Sequence, residues 1–405
     1  MYFAMTNWRN SNIPFGIRTP QDIQYHVMVA GSTGSGKSNI LKSLMLNSVL
    51  HHKADDEDKR GFALIDPHQT LCDYVYNNIP KERLKDVIYI DLSDPNLKHG
   101  YNLLKKTSDS KKPLVASAVL EALEKFGGSK DWGGKLSYII LNCLRALQDF
   151  SESTNLSDVL RILKDKSYRE DAVKHIKNEE VKNFFTHQFK DFNPKYDFIP
   201  VYNKFRFLIH DSLRKLFVEN EDNIYLGDVI NSSKILLINT AKSHIGADAS
   251  RLVGSIFISQ LASAGFSRKK NSNNGSYKPF TIYIDEAQTF ASNGSSSVTT
   301  ILEELRKKSI SVVLSFQGIT SLSAEVRESI FTNVGNLLIL RSSADNAMLY
   351  AKEMVKDVHP FTYKEFVTLP KYHMMIRIMN NGQVCKPFTA ASIVYEDFHK
   401  GGIIS

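Results

Sequence analysis

Tyr25-His-Val-Met-Val-Ala-Gly-Ser-Thr-Gly-Ser-Gly-Lys-Ser-Asn39 is the stretch that decides the fold. It opens on a short apolar run and passes into a glycine-rich loop. After Lys37, the apolar residues Ile40, Leu41, Leu44, Met45 and Val49 recur at helical spacing. The order is therefore strand, loop, helix. Gly31-x4-Gly36-Lys37-Ser38 has the spacing of a phosphate-binding loop. Its glycines let backbone N–H groups turn inward without Cβ clashes. The helix that opens near Gly36 aims the positive end of its dipole at the same point. The expected cradle is Gly31, Ser32, Thr33, Gly34, Ser35, Gly36, Lys37, Ser38 and Asn39. Lys37 is expected to reach the β- and γ-phosphates of ATP, and Ser38 to place its hydroxyl on Mg²⁺.

Further along, buried strands are expected at Gly61–Asp66, Asp86–Asp91, Lys234–Asn239, Phe280–Asp285, Ser311–Phe316 and Asn336–Arg341. With the run before Gly31 they make about seven, alternating with helices as in a parallel sheet covered on both faces. Between 103 and 226 the strand-like runs vanish. Helical spacing takes over at Leu114–Lys125, Leu136–Leu147, Leu156–Leu163 and Tyr202–Phe217. The fold class is thus α/β, a P-loop NTPase with a mostly parallel central sheet and an inserted all-α domain. The expected divisions are a first core part at 1–102, the insertion at 103–226, a second core part at 227–370, and a β-hairpin with tail at 371–405. The hairpin rests on Asn380-Asn381-Gly382 between two strand-like runs.

Phe280-Thr-Ile-Tyr-Ile-Asp285-Glu286 is an apolar strand ending in two carboxylates. In a chain with a phosphate loop, Asp285 is the expected holder of Mg²⁺ and Glu286 the expected base for the attacking water. Ser311-Val-Val-Leu-Ser-Phe-Gln317 ends in an amide that either senses the γ-phosphate or merely caps its strand. Arg306, before that strand, has two open readings. It is a cation at a helix C-terminus meeting the dipole, or a guanidinium aimed at a neighbouring subunit's γ-phosphate. Arg341 is a weaker candidate for the second role.

Composition excludes several classes. Hydrophobic residues are 42% and charged residues 23% of 405, with a formal net charge of +8, as in an ordinary globular protein that tolerates a polyanionic partner. Cys72, Cys143 and Cys385 have no metal-binding spacing. No apolar run reaches the roughly 18 residues of a membrane span, and no signal peptide opens the chain, so a cytoplasmic location is expected. Arg268-Lys269-Lys270, running on to Lys278, reads as a basic loop, either gripping nucleic acid or lying in solvent.

Several segments beyond the loop resemble the HerA/FtsK superfamily of ring ATPases, and within it the TraG-like ATPases of type IV secretion and conjugation. They are Ala63-Leu-Ile-Asp66-Pro67-His68, Asp91-Leu-Ser-Asp-Pro, Tyr101-Asn102-Leu-Leu, Trp132-Gly-Gly-Lys-Leu, Asn203-Lys204, Ala247-Asp-Ala-Ser-Arg-Leu-Val-Gly254, and Leu305-Arg306-Lys307 followed by Ser315-Phe316-Gln317. The usual Gly-Asp after Asp-Pro-His is Gln69-Thr70 here. The resemblance implies that the P-loop NTPase fold is RecA-like, and it implies catalytic roles for Lys37, Glu286, Gln317 and Arg306. It also implies a homo-oligomer, a hexameric ring with DNA in its channel. Membrane helices or a small β-barrel commonly begin such proteins, and neither is expected here. Contact with secretion machinery at the membrane and contact with a nuclease both stay open. So do a ring energising protein export, a nuclease-partnered ATPase of repair or phage defence, and a nucleotide-switched scaffold.

Overall fold

The computed structural model describes residues 2–8, 11–17, 22, 24–50, 59–104, 109, 112–125, 132–150, 154–220, 222–268, 270, 275–291, 301–354 and 362–393. It divides into two compact units. One comprises Met1–Tyr89, Gly227–Asn239 and Ala264–Ser405, the other Ile90–Leu226 and Thr240–Ser263.

The first unit is built on an eleven-stranded sheet. Its strands are β1 (Tyr2–Trp8), β2 (Ser11–Gly16), β3 (His26–Ala30), β4 (Gly61–Asp66), β5 (Val87–Asp91), β6 (Ile235–Asn239), β7 (Phe280–Ile284), β8 (Ile310–Phe316), β9 (Val334–Leu340), β10 (His373–Arg377) and β13 (Phe388–Ser392). A separate hairpin pairs β11 (Met379–Asn380) with β12 (Gln383–Val384). The spatial order is β2-β1-β13-β10-β9-β3-β8-β7-β4-β6-β5. All the pairings that join β9, β3, β8, β7, β4 and β6 are parallel. Those of β9 with β10, and of β10, β13, β1 and β2 in turn, are antiparallel. The sequence reading of about seven strands falls short because β1, β2, β10 and β13 extend the sheet on its antiparallel side. There β2 holds Asn12 and Pro14, poor strand formers that an edge position tolerates.

The central strands are apolar because both faces are covered. Every residue of β3, β4, β6 and β8 is buried. Helix α1 (Lys37–Leu50) buries Ile40, Leu41, Leu44, Met45 and Val49, as its spacing predicts. It also buries Ser43, Asn47 and Ser48, whose side chains bond Ile393 O, Ser43 O and Met45 O at 3.1, 2.7 and 2.6 Å. Helix α2 (Thr70–Asn78) follows β4 and buries Leu71, Cys72 and Val75. Phe62 and Tyr283 meet edge to face across β4 and β7, centroids 5.6 Å apart.

The N-terminal ends of the strands are tied together by Arg83, which has no exposed surface. Its Nε donates to Asp86 Oδ2 at 2.8 Å, and its Nη2 donates to Arg60 O and Ser233 O at 3.0 and 3.1 Å. Approach there is so close that a Cβ on Gly61 would fall 2.4 Å from Lys234 O. A second tie is His26, also without exposed surface. Its Nδ1 accepts Val312 N–H at 2.9 Å, so Nε2 carries the proton and donates to Leu302 O at 2.9 Å. Burial holds its pKa down to about 4, which keeps the ring neutral at physiological pH.

The expected basic loop needs correction at its first residue. Arg268 is buried, not presented to a partner. Its guanidinium donates to Asn231 Oδ1, Lys308 O and Lys278 O at 3.2, 2.8 and 2.7 Å. Lys269 and residues 271–274 lie outside the described residues, as does most of the Ala291–Ser297 loop.

The second unit is helical, with α3 (Lys112–Lys125), α4 (Gly134–Phe150), α5 (Asp158–Lys164) and α6 (Lys166–His175) followed by short helical turns. The predicted helix over Tyr202–Phe217 is broken into pieces, with 3-10 turns at Phe205–Ile209 and a π turn at Lys215–Glu219. Trp132 and Lys204, two of the sequence landmarks, meet with Nζ 5.1 Å from the indole centroid. A long helix, α7 (Ala247–Phe266), crosses the boundary between the units. Among the described residues no helix is long and apolar enough to cross a membrane.

Arg83→Ala removes three hydrogen bonds, leaves the carbonyls of Arg60 and Ser233 without that donor, and leaves Asp86 paired with Lys59 at 3.4 Å. We expect a loss of about 3–5 kcal/mol, read as a lowered denaturant midpoint in equilibrium unfolding.

Candidate nucleotide site

Register assembles the site. Ala30 pairs with Phe316, Leu314 with Ile284, and Ile284 with Ile65. Four neighbouring parallel strands therefore end nearly level. The next residues, Gly31, Gln317, Asp285 and Asp66, stand along one edge. Open parallel sheets take their ligands at this carboxyl-end edge.

The loop itself is held from both sides. Gly31 N donates to Phe316 O at 3.1 Å, Ser32 N to Arg341 O at 2.8 Å, and Tyr372 N to Ser35 O at 2.9 Å. Gly34 and Gly36 have φ of 75 and 117, conformations that only glycine adopts without strain. The first N–H groups of α1, at Lys37 and Ser38, have no carbonyl one turn back and point out of the helix end. Ser35 Oγ is buried inside the loop and has no partner among the described residues. A Cβ on Gly31 would sit 2.7 Å from it. Lys37 folds its ammonium onto Gly31 O at 2.6 Å and Ser32 O at 3.1 Å. Burial lowers its pKa, and the charges of Asp285 and Glu286 oppose that shift. The loop thus offers inward amides and a half-buried cation, the donor set that phosphate oxygens require. Asn39 turns elsewhere and spends its amide hydrogens on Ser392 Oγ and Ile393 O at 3.1 and 2.9 Å.

Opposite the cation is an acidic edge. Burial pushes the Asp285 carboxyl above the ordinary carboxylate range, and the neighbouring Asp66 and Glu286 push it further. Asp66 is raised by burial too, although it accepts N–H bonds from His68, Leu71 and Cys72 at 2.8, 2.9 and 3.0 Å. Those bonds make Asp66 the cap of α2. Among the described residues no group of three or more His, Cys, Asp or Glu is arranged to hold a metal. One half-buried carboxylate at Asp285 and one exposed hydroxyl at Ser38 instead suit Mg²⁺, which keeps waters and shares substrate phosphates.

Glu286 lies between two partners. Gln317 Nε2 donates to its Oε1 at 2.5 Å, and His68 Nε2 stands 3.1 Å from its Oε2. Gln317 Oε1 in turn accepts from Thr33 Oγ1 at 3.5 Å, which links the carboxylate to the loop. The sequence reading placed His68 in a motif without giving it a task. The signal was its position two residues past the end of β4.

Arg306 is not at this edge. It sits exposed in the 3-10 turn Leu305–Lys308, before β8, with its guanidinium 3.6 Å above the Tyr25 ring. Tyr25 precedes β3 and His26 opens it, and His26 bonds Leu302 one turn before the arginine. The five residues of β3, at about 3.3 Å each, put roughly 15–20 Å between Arg306 and the loop. Arg341 is near the loop, where its carbonyl takes Ser32 N–H, and its side chain is exposed.

The comparisons bear on this arrangement. The plasmid coupling protein TrwB, solved with a non-hydrolysable GTP analogue, superposes with a TM-score of 0.66 at 12% identity over 92% of this chain and 86% of that one. TrwB has also been solved with ADP and Mg²⁺, with a TM-score of 0.65 at 12% identity over 92% and 86% of the chains. VirB4 of Thermoanaerobacter pseudethanolicus gives 0.61 at 13% identity over 97% and 95%. At such identity these likenesses establish the shared RecA-like fold. No curated protein matches by sequence. The family model described as the central domain of helicase HerA matches residues 5–333, most of the chain, and the protein belongs to that family.

Proposed function

We propose that this chain is an ATP-hydrolysing motor that works as a ring of identical subunits and moves DNA. One observation carries the reading. The loop edge gathers Lys37, Asp285, Glu286 and Gln317, while Arg306 stands at the other end of β3, out of its own site's reach. An exposed guanidinium there serves a γ-phosphate only on a neighbouring copy. Such arginines contribute about 10³–10⁵ in rate.

In this reading Lys37 and the loop amides bind the phosphates, with Ser38 and Asp285 holding Mg²⁺. The ion when bound offsets charge on the phosphate oxygens and leaving group. Glu286 takes a proton from the attacking water once Gln317 and His68 have fixed its two oxygens. Gln317 then reports the γ-phosphate to the loop through Thr33. DNA as the track is supported by the helicase family and by the net charge of +8. Phosphate contacts of that kind give little sequence preference and a steep salt dependence.

Three outcomes are expected. The half-buried charge of Asp285 destabilises the nucleotide-free chain, so Asp285→Asn should raise its unfolding free energy by about 0.5–2 kcal/mol at neutral pH while abolishing Mg²⁺-dependent turnover. Because the folded pKa of Asp285 is raised, the wild type loses its own stability as pH rises through that value. The gain in the variant therefore disappears as pH falls below it. In equilibrium binding, Lys37→Ala should lose ATP, and Glu286→Gln should keep ATP but not hydrolyse it. Arg306→Ala alone should lack DNA-stimulated ATPase. Mixed with Glu286→Gln subunits it should regain part of that activity, and no recovery at any mixing ratio would count against shared sites. ATPase indifferent to DNA would point to protein export or a scaffold.

A further inference from the structure

The phosphate end of the site has a direction. Asp285, Glu286 and Gln317 follow β7 and β8, on one side of β3, so the γ-phosphate belongs on that side. The phosphate chain crosses the loop, and the nucleoside must leave on the other side, where β9 and β10 continue the sheet. The residue standing there is Tyr372.

Tyr372 is built into the loop's wall. Its N–H donates to Ser35 O at 2.9 Å, and its carbonyl accepts Ser392 N–H at 2.7 Å. Its ring lies so close to Gly36 that a Cβ there would come within 2.8 Å of Cδ1. Its φ of 67 is left-handed, an uncommon conformation for a bulky residue and one held by those contacts. The residue nevertheless keeps 38% of its surface exposed. The exposed Lys371 ammonium lies over the ring, 4.7 Å from its centroid, in the position a stacked base would take. Asn39, on the helix that follows the loop, bonds Ser392 and Ile393, so the edge carrying the tyrosine is latched to the loop.

We infer that Tyr372 is the stacking platform for the base of the bound nucleoside triphosphate, with Lys371 giving up the ring face to the base. The inference rests on the phosphate site proposed above. Stacking on a ring is available to every base, so the platform strengthens binding without choosing between adenine and guanine.

The test is titration calorimetry of the full-length chain with Mg²⁺ and, in turn, ATP, GTP and inorganic tripolyphosphate, which has no base. Tyr372→Ala should weaken ATP and GTP by about 5- to 150-fold and leave tripolyphosphate unchanged. Tyr372→Trp should retain both nucleotides. Tyr372→Leu keeps apolar bulk against Gly36 without a π-face and should behave like the alanine variant. Unchanged ATP affinity in Tyr372→Leu, or equal losses for ATP and tripolyphosphate, would overturn the platform. The second result would make the tyrosine a clasp of the loop. A wild-type chain that binds tripolyphosphate no better than Lys37→Ala would instead overturn the phosphate site itself.

Discussion

Two carboxylates at the strand ends, one buried and one half-buried, set the terms for this protein. Asp66 and Asp285 follow paired residues at the ends of adjacent parallel strands, and burial raises the pKa of both. A sheet covered on both faces cannot hydrate charges at its core, and unpaired buried charge costs several kcal/mol. The chain meets that cost differently at the two positions. Asp66 is given three backbone amides and becomes the cap of α2. Asp285 instead has the Ser315 hydroxyl and the carboxylate of Glu286 beside it and the Lys37 ammonium nearby.

The central strand joins two kinds of chemistry. β3 is hydrogen-bonded to β8 on one side and β9 on the other. Its carboxyl end continues into the phosphate loop, and at its amino end Tyr25 and His26 hold the Arg306 segment. A strand buried and paired along its length has little freedom to shear, so a shift of the loop displaces the arginine's support as well. Coupling of neighbouring sites in a ring would need no further moving part.

Much of this was legible in the sequence, where the signal is local. The loop, α1 and the strands before Asp66, Asp285 and Gln317 each declare themselves within a dozen residues, because buried parallel strands are apolar runs and phosphate loops need glycine at fixed spacing. What stayed hidden depends on distant partners. Arg83 looks like a surface arginine in Lys81-Glu-Arg-Leu-Lys-Asp86, and only the return of Ser233 to its side makes it a buried tie. Arg268 reads as part of a basic loop until Asn231 and Lys308 are seen to hold it. His68 stood in a recognised motif, yet its partner Glu286 lies on another strand, and no spacing rule connects them. Strands β1 and β2 were missed for a related reason, since edge pairing asks less of a sequence than burial on both faces does.

Glu286 shows how local strain can serve the site. Along a strand successive side chains point to opposite faces, so a regular continuation of β7 would send Asp285 and Glu286 apart. Instead Glu286 has a φ of 46, in the left-handed region, at a cost of about 1–2 kcal/mol for a residue with a Cβ. The bend ends the alternation immediately after the strand. Both carboxylates then act on the Lys37 ammonium, and Glu286 reaches Gln317 on one side and His68 on the other. Glycine at 286 would relieve the strain but remove the carboxylate, and a β-branched residue would deepen it. A long, unbranched acid in a left-handed turn is therefore what geometry and chemistry together allow at this position.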